Sequence, residues 1–266
     1  MIKRNLVLGT ANWGRLYGNS KRSIGASEAH DILDFFLEQG YYHIDTAYNY
    51  GEAHEYLSTY HRINELVITT KFQSEIELNQ IIREIEYSGI KFQTIMFHDV
   101  PTDKERVLHL IESGVENVGI SLNSIREMEV IRGYLKELNK VQVPYNIVDR
   151  RWEEFFFEFK SFNLEIEARS AFLQGQLLVD NSFVLSQNAK LNDELKTWKA
   201  NRTIDQRLMS CVKFQKNHKC LDSFVFGVDS MVQLQALVET FNESSPYIEE
   251  FFLKFDDESL LLPMNW

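Results

Sequence analysis

The sequence predicts an α/β fold, a (β/α)8 TIM barrel with an additional C-terminal helix and tail. Short runs rich in β-branched and aromatic residues alternate with longer segments of helical period, the pattern that builds a parallel sheet from repeated βα units. Eight such units can be traced along the 266 residues, and a barrel of this kind takes about 250 residues. Residues 1–266 are accordingly read as one domain.

Strands are expected at Leu6–Leu8, Tyr41–Ile44, Leu66–Thr69, Thr94–Phe97, Asn117–Ile120, Lys140–Val143, Leu164–Ala168 and Ser223–Phe226. The helical segments between them run over 27–39, 51–60, 75–87, 102–113, 124–138, 151–160, 203–218 and 230–242. Ser27 stands as an N-cap ahead of Ala29, Ile32 and Leu33, and Thr102 with Glu105 forms a capping box. Gly40 and Gly114 lie just past helix ends, where a left-handed cap favours glycine. The stretch 177–202, rich in Asn, Ser, Gln and Lys, is expected to be an irregular loop on the strand-exit face. After the eighth unit, Tyr247–Phe255 presents Tyr247, Phe251, Phe252 and Phe255 on one stripe, and the apolar tail Leu260–Trp266 is expected to pack on the barrel.

Composition narrows the function classes. Acidic residues outnumber basic ones, 39 to 28, for a net charge of −11, and no window clusters Lys and Arg as phosphate-backbone binding requires, so nucleic acid is not an expected partner. The longest apolar runs are strand-sized, which argues against a membrane span, and Asn5, Gly9 and Asn12 interrupt the stretch a signal peptide needs. Cys211 and Cys220 are too far apart in one helical segment for a disulfide and too sparse for zinc. A cytoplasmic protein with reduced thiols is expected.

Barrel enzymes carry reactive groups at the C-terminal ends of their strands. Three consecutive units obey this: Asp45, Lys71 and His98 follow the second, third and fourth strands, and Tyr50 comes five residues after Asp45. An acid, a phenol, an amine and an imidazole so placed suit carbonyl reduction, in which a nascent alkoxide must be protonated. The phenol of Tyr50 is the expected acid, Lys71 the charge that brings its pKa down, Asp45 the partner of Lys71, and His98 a second donor to the carbonyl oxygen. Singly, each has a plainer reading as a cap, a packed loop residue or a solvated side chain; their placement on successive strand exits is what carries the reading.

The segments Leu6-Val7-Leu8-Gly9-Thr10-Ala11-Asn12-Trp13-Gly14, Asp45-Thr46-Ala47-Tyr48-Asn49-Tyr50-Gly51, Thr69-Thr70-Lys71 and Phe97-His98 resemble, in order and spacing, the aldo-keto reductase superfamily. The likeness continues through 118–121, 141–146, 169–175 and 227–234. It implies catalytic roles for Asp45, Tyr50, Lys71 and His98. It also implies a nicotinamide cofactor bordered by Gly9 and Thr10, with its carboxamide on Ser121 and Gln142, Ser170, Phe172 and Gly175 near the nicotinamide and diphosphate, and Gly227, Ser230 and Gln233 holding the adenosine half. Ser230 also reads as a simple N-cap.

Three positions depart from the family pattern: Leu122 stands where many relatives carry Asn, Arg169 where many carry a stacking tyrosine, and Asp229 where NADP-preferring members place a basic or neutral group. An acid there disfavours a 2′-phosphate, so NADP is expected with NAD as the alternative. The implied substrate is a small carbonyl or its alcohol. Sugar-derived compounds are suggested by similarity of 141–146 and 169–175 to bacterial members linked with carbohydrate metabolism. Trp13, Tyr17, Tyr48, Trp152 and Trp266 are aromatics available to a pocket. Three other readings stay open: a non-catalytic barrel that binds nucleotide or a partner, a Schiff-base aldolase using Lys71, and a metal site from His43, Asp45, His98 and Asp99. The last lacks a His-x-His signature and would bring Lys71 against the metal, so no metal is expected.

Overall fold

The computed structural model describes residues 5–18, 21–180, 189–244 and 261. The expected helix Tyr247–Phe255, Trp266 and all of the tail except Leu261 lie outside the described residues; Leu261 is buried in the apolar core.

Eight parallel strands close into a barrel in chain order: β1 (Asn5–Gly9), β2 (His43–Asp45), β3 (Val67–Phe72), β4 (Phe92–Phe97), β5 (Asn117–Ser121), β6 (Lys140–Pro144), β7 (Glu165–Arg169) and β8 (Ser223–Gly227). Around it run α1 (Ala26–Glu38), α2 (Ala53–Ser58), α3 (Leu78–Ser88), α4 (Glu105–Glu112), α5 (Met128–Ile131), α6 (Phe156–Ser161), α7 (Ala189–Ala200), α8 (Ile204–Asn217) and α9 (Met231–Asn242). Every predicted strand is present.

Successive strand residues face opposite sides of the sheet, and this sequence divides the sides by polarity. Leu6, Leu8, Ile44, Ile68, Phe72, Ile95, Phe97, Val118, Ile120, Val141, Val143, Ile166, Phe224 and Phe226 join the helices in one apolar cluster. The other phase carries Asp45, Lys71, Ser121, Lys140, Gln142, Glu167 and Ser223, all buried. A barrel interior is ordinarily filled by Val, Ile and Leu; here hydrogen-bonded charges occupy much of it.

Several local expectations are corrected. Over 177–202 the chain includes α7, in which Leu195 and Trp198, three residues apart, are both buried. That pair, within a run of good helix formers, outweighs the polar composition. The segment 124–138 is broken: a 3-10 turn Ile125–Glu127, the short α5 and a second 3-10 turn Leu135–Glu137 surround Gly133, a residue that disfavours helix interiors. Ser27 lies inside α1, whose N-cap is Gly25. No Thr102–Glu105 box forms, because α4 begins at Glu105 itself and Asp103 Oδ1 accepts the Arg106 amide at 3.2 Å. Gly40 and Gly114 take the expected left-handed conformation, with φ of 79° and 88°.

Candidate active site

Strand register brings the four candidate catalytic residues to one end of the barrel. Asp45 ends β2, Lys71 is the penultimate residue of β3, and His98 follows β4 with its amide donating to Phe72 O at 2.8 Å. Tyr50 is set by the turn after β2, where Gly51 has φ 52° and a Cβ would lie 2.7 Å from Trp13 O. A side chain there would both strain the backbone and strike the neighbouring loop, so the turn that aims Tyr50 needs glycine.

Lys71 Nζ donates to Asp45 Oδ2 at 2.6 Å and to Thr46 O at 2.8 Å, with both partners of the ion pair fully enclosed. Burial pushes the Asp45 carboxyl up and the Lys71 ammonium down, each opposed by the other's charge. Lys71 Nζ lies 5.3 Å from the Tyr50 ring centroid, and the His98 ring meets Tyr50 edge-on at 5.7 Å. Among the described residues the Tyr50 hydroxyl makes no hydrogen bond, and the side chain is half-buried.

The electrostatics modify the expected division of labour. Burial, then the charge of Asp45, pushes the Tyr50 phenol up, while Arg169 and Arg15 pull it the other way. Lys71 Nζ, 5.3 Å from the Tyr50 ring centroid, is paired with the Asp45 carboxylate at 2.6 Å, so its charge reaches the phenol together with an opposing one. His98 is lowered to about 3 by burial, then by Lys71, Arg169 and Arg15, so it is neutral at working pH and can offer a ring N–H without charge.

The candidate cofactor residues divide differently. Gln142 is fully buried; Nε2 donates to Asp45 Oδ2 at 2.7 Å and Glu167 Oε1 at 2.9 Å, and Oε1 accepts from Ser121 Oγ at 3.1 Å. Both amide hydrogens are therefore occupied, and Ser121 and Gln142, the expected carboxamide partners, are bonded to each other. Thr10 is likewise enclosed, its hydroxyl donating to Thr46 Oγ1 at 2.8 Å. Gly9 ends β1 in register with Asp45 and Gly227. Ser170 has φ 61°, and its Oγ accepts from Arg169 Nη1 at 3.1 Å; Phe172 packs on Phe226 at 5.3 Å; Gly175 has φ 88°. Ser230 caps α9, accepting the Gln233 amide at 3.3 Å, and Gln233 Oε1 accepts the Asp229 amide at 2.7 Å. Gly227 is exposed, with no atom within 4 Å of where a Cβ would stand.

Of the departures, Leu122 is buried in the core, Arg169 Nη2 donates to Leu122 O and Asn123 Oδ1 at 2.9 and 2.6 Å, and Asp229 Oδ1 accepts from Asn12 Nδ2 at 3.0 Å. Trp13 and Trp152 are core rather than pocket residues, Tyr48 stacks on Phe72 at 5.3 Å, and Tyr17 is exposed. Among the described residues no group of three or more His, Cys, Asp or Glu side chains comes together to hold a metal, and no helix is long and apolar enough to cross a membrane.

Sequence reasoning passed over a second buried cluster below the first. Glu167 Oε2 accepts from Lys140 Nζ at 3.3 Å and from Ser223 Oγ at 2.9 Å, and Lys140 also reaches Glu165 at 3.0 Å. Burial opposes ionisation of Glu167 but is outweighed by Lys140, by bonds from Gln142 and Ser223, and by Lys71, leaving its carboxyl below the usual range. The signal was present: Lys140 and Glu167 interrupt the apolar runs of β6 and β7 in the inward phase.

The aldo/keto reductase family model matches residues 5–256. The chain belongs to this family. It is accordingly an NAD(P)H-dependent oxidoreductase acting on small-molecule carbonyl compounds. Solved structures of similar fold include aldo-keto reductase AKR11C1 from Bacillus halodurans. Its holo form aligns with a TM-score of 0.74 at 21% identity, covering 92% of this chain and 89% of that one. Its apo form gives 0.68 at 23%, covering 86% and 85%. At these identities the likeness is one of fold. No curated protein matches the chain.

Proposed function

We propose that this aldo/keto reductase interconverts a small carbonyl compound, sugar-derived in the reading favoured here, and its alcohol in the cytoplasm, with Tyr50 as general acid and base. The observation that carries this is the Tyr50 hydroxyl, unbonded among the described residues, between the Lys71–Asp45 pair and neutral His98. Tyr50 delivers the proton to the carbonyl oxygen, and His98 directs a neutral N–H at the same oxygen and orients it. Asp45 holds Lys71 against the tyrosine ring. Substrate binding that excludes Asp45 from the phenol's field, or brings negative charge onto the reacting oxygen, increases what Lys71 contributes.

The chain also offers a fitting place for a dinucleotide. Gly227 opens at the end of β8 beside Gly9 and the start of α9, where first-turn amides suit a phosphate. Gly175, Ser170 and Phe172 line the approach after β7, and Gly227, Ser230 and Gln233 stand at the adenosine end. When bound, the reduced nicotinamide supplies the hydride. NADP is the favoured form; Asp229, tied to Asn12, is the feature that would favour NAD. Free Cys211 and Cys220 accord with a reducing compartment.

The test is fluorescence titration with NADPH and NADH, followed by turnover of a neutral aldehyde. Tight binding of one form with turnover is the expected result. Binding without turnover of any carbonyl favours the non-catalytic barrel, and borohydride trapping on Lys71 favours the aldolase.

A further inference from the structure

Two guanidinium groups near the strand-exit end have no carboxylate partner among the described residues. Arg15, in the loop after β1, donates Nη1 to Asn49 O at 2.7 Å, and its Cζ lies 5.2 Å from the ring centroids of both Tyr17 and Tyr50. That loop is tied across the barrel mouth to the segment after β7, because Gln174 Nε2 donates to Tyr17 Oη at 3.3 Å. Arg169, ending β7, bonds to Leu122 O, Asn123 Oδ1 and Ser170 Oγ. Each of these acceptors is neutral. Arg22, Arg62, Arg132, Arg150, Arg151 and Arg207 each pair with an acidic side chain, whereas Arg106, like Arg15 and Arg169, bonds to a neutral carbonyl, that of Ile76.

The chain carries a net charge of −11. Two arginines left with neutral acceptors at the strand-exit end make a local positive field in an acidic protein. The Arg15 guanidinium lies against the Tyr50 ring, and the charges of Arg15 and Arg169 both pull the Tyr50 and His98 pKa values down. Arg15 engages one acceptor and retains further N–H groups in a planar fork suited to a carboxylate or phosphate.

We propose that the substrate carries an anionic group, carboxylate or phosphate, which Arg15 binds and Arg169 attracts while the carbonyl lies against Tyr50. This rests on the reductase reading above. The short span from Arg15 to Tyr50 sets the anion a few carbon atoms from the reacting carbonyl. Tyr17 holds the guanidinium plane by stacking, so Arg15 is positioned before the ligand arrives.

The experiment compares kcat/KM within two matched pairs: para-carboxybenzaldehyde against para-tolualdehyde, and glyceraldehyde phosphate against glyceraldehyde. Wild type, Arg15→Gln, Arg15→Lys and Arg169→Gln are each used, with calorimetric titration of benzoate and inorganic phosphate alongside. The expected result is a preference of about tenfold or more for the anionic member of at least one pair, weakened by salt, abolished in Arg15→Gln and partly restored in Arg15→Lys. The pair that shows it distinguishes carboxylate from phosphate. The proposal is overturned by equal kcat/KM within both pairs, by a preference that survives Arg15→Gln, or by Arg15→Gln weakening NADPH binding and leaving the preference intact. If no aldehyde turns over, the reductase reading fails, and calorimetry still decides: binding of either anion lost in Arg15→Gln supports the site, and no binding to wild type overturns it.

Discussion

The first four strands and the last four use their exit ends in different ways. On the first side Asp45, Lys71, Tyr50 and His98 gather around one hydroxyl that no described neighbour satisfies. On the other, Ser121, Gln142 and Ser170 have hydrogen-bonding partners within the protein, and Gly227 contributes open space rather than a side chain.

The sharpest way to break this comparison is to remove the ion pair of the first side. Lys71→Met leaves Asp45 buried without its cation, and the expected loss is about 3–5 kcal/mol in urea unfolding together with loss of turnover. Adding Asp45→Leu is expected to recover stability and not activity. Recovery of both would show that the pair serves the fold alone.

A smaller effect tests whether the second cluster reports to the first. Glu167 raises the affinity of both Asp45 and Lys71 for protons, so Glu167→Gln is expected to move the acidic limb of the kcat–pH profile to lower pH. The associated stability loss is about 1–3 kcal/mol, with little change in NADPH affinity. An unmoved profile would make the cluster purely structural. At the adenosine end, Ser230→Ala is expected to cost about 1 kcal/mol of stability through loss of the α9 cap and to weaken nucleotide binding only a few-fold, read by calorimetry.

A further effect appears in acid. Burial lowers His54 from 6.5 to about 4, and its ring bonds to Thr70 Oγ1 at 2.8 Å. Its folded pKa lies below its unfolded one, so the unfolded chain takes up a proton first as pH falls. Stability present above about 6.5 is lost as pH drops toward 4. The urea midpoint of His54→Gln is expected to fall less over that interval than that of the wild type.

Much of the barrel was legible because alternation and turn chemistry are local. All eight strands lie in short runs of aliphatic, β-branched or aromatic residues, and Gly40 and Gly114 mark helix ends by a backbone need that few other residues meet. The first half of the site was legible for the same reason: Asp45, Lys71 and His98 sit at strand ends whatever the rest of the chain does. Less legible were features that depend on what a side chain meets across the barrel. Nothing local to Gln142 foretells its bonds to Asp45 and Glu167, 97 and 25 residues away in sequence. Arg15 sits in a loop with no periodicity, and only its closeness to Tyr50 singles it out. In α7, the paired burial of Leu195 and Trp198 was hidden in a polar composition.

The central claim is that Tyr50 transfers the proton during carbonyl reduction, and single-turnover kinetics test it most directly. NADPH or NADH, whichever binds, is mixed with wild-type protein or Tyr50→Phe and a reactive aldehyde, and nicotinamide oxidation is followed by stopped flow. The account predicts nucleotide affinity within a few-fold of wild type and an oxidation rate lower by about 10²–10⁴-fold in Tyr50→Phe. An oxidation rate in Tyr50→Phe close to that of the wild type would contradict it.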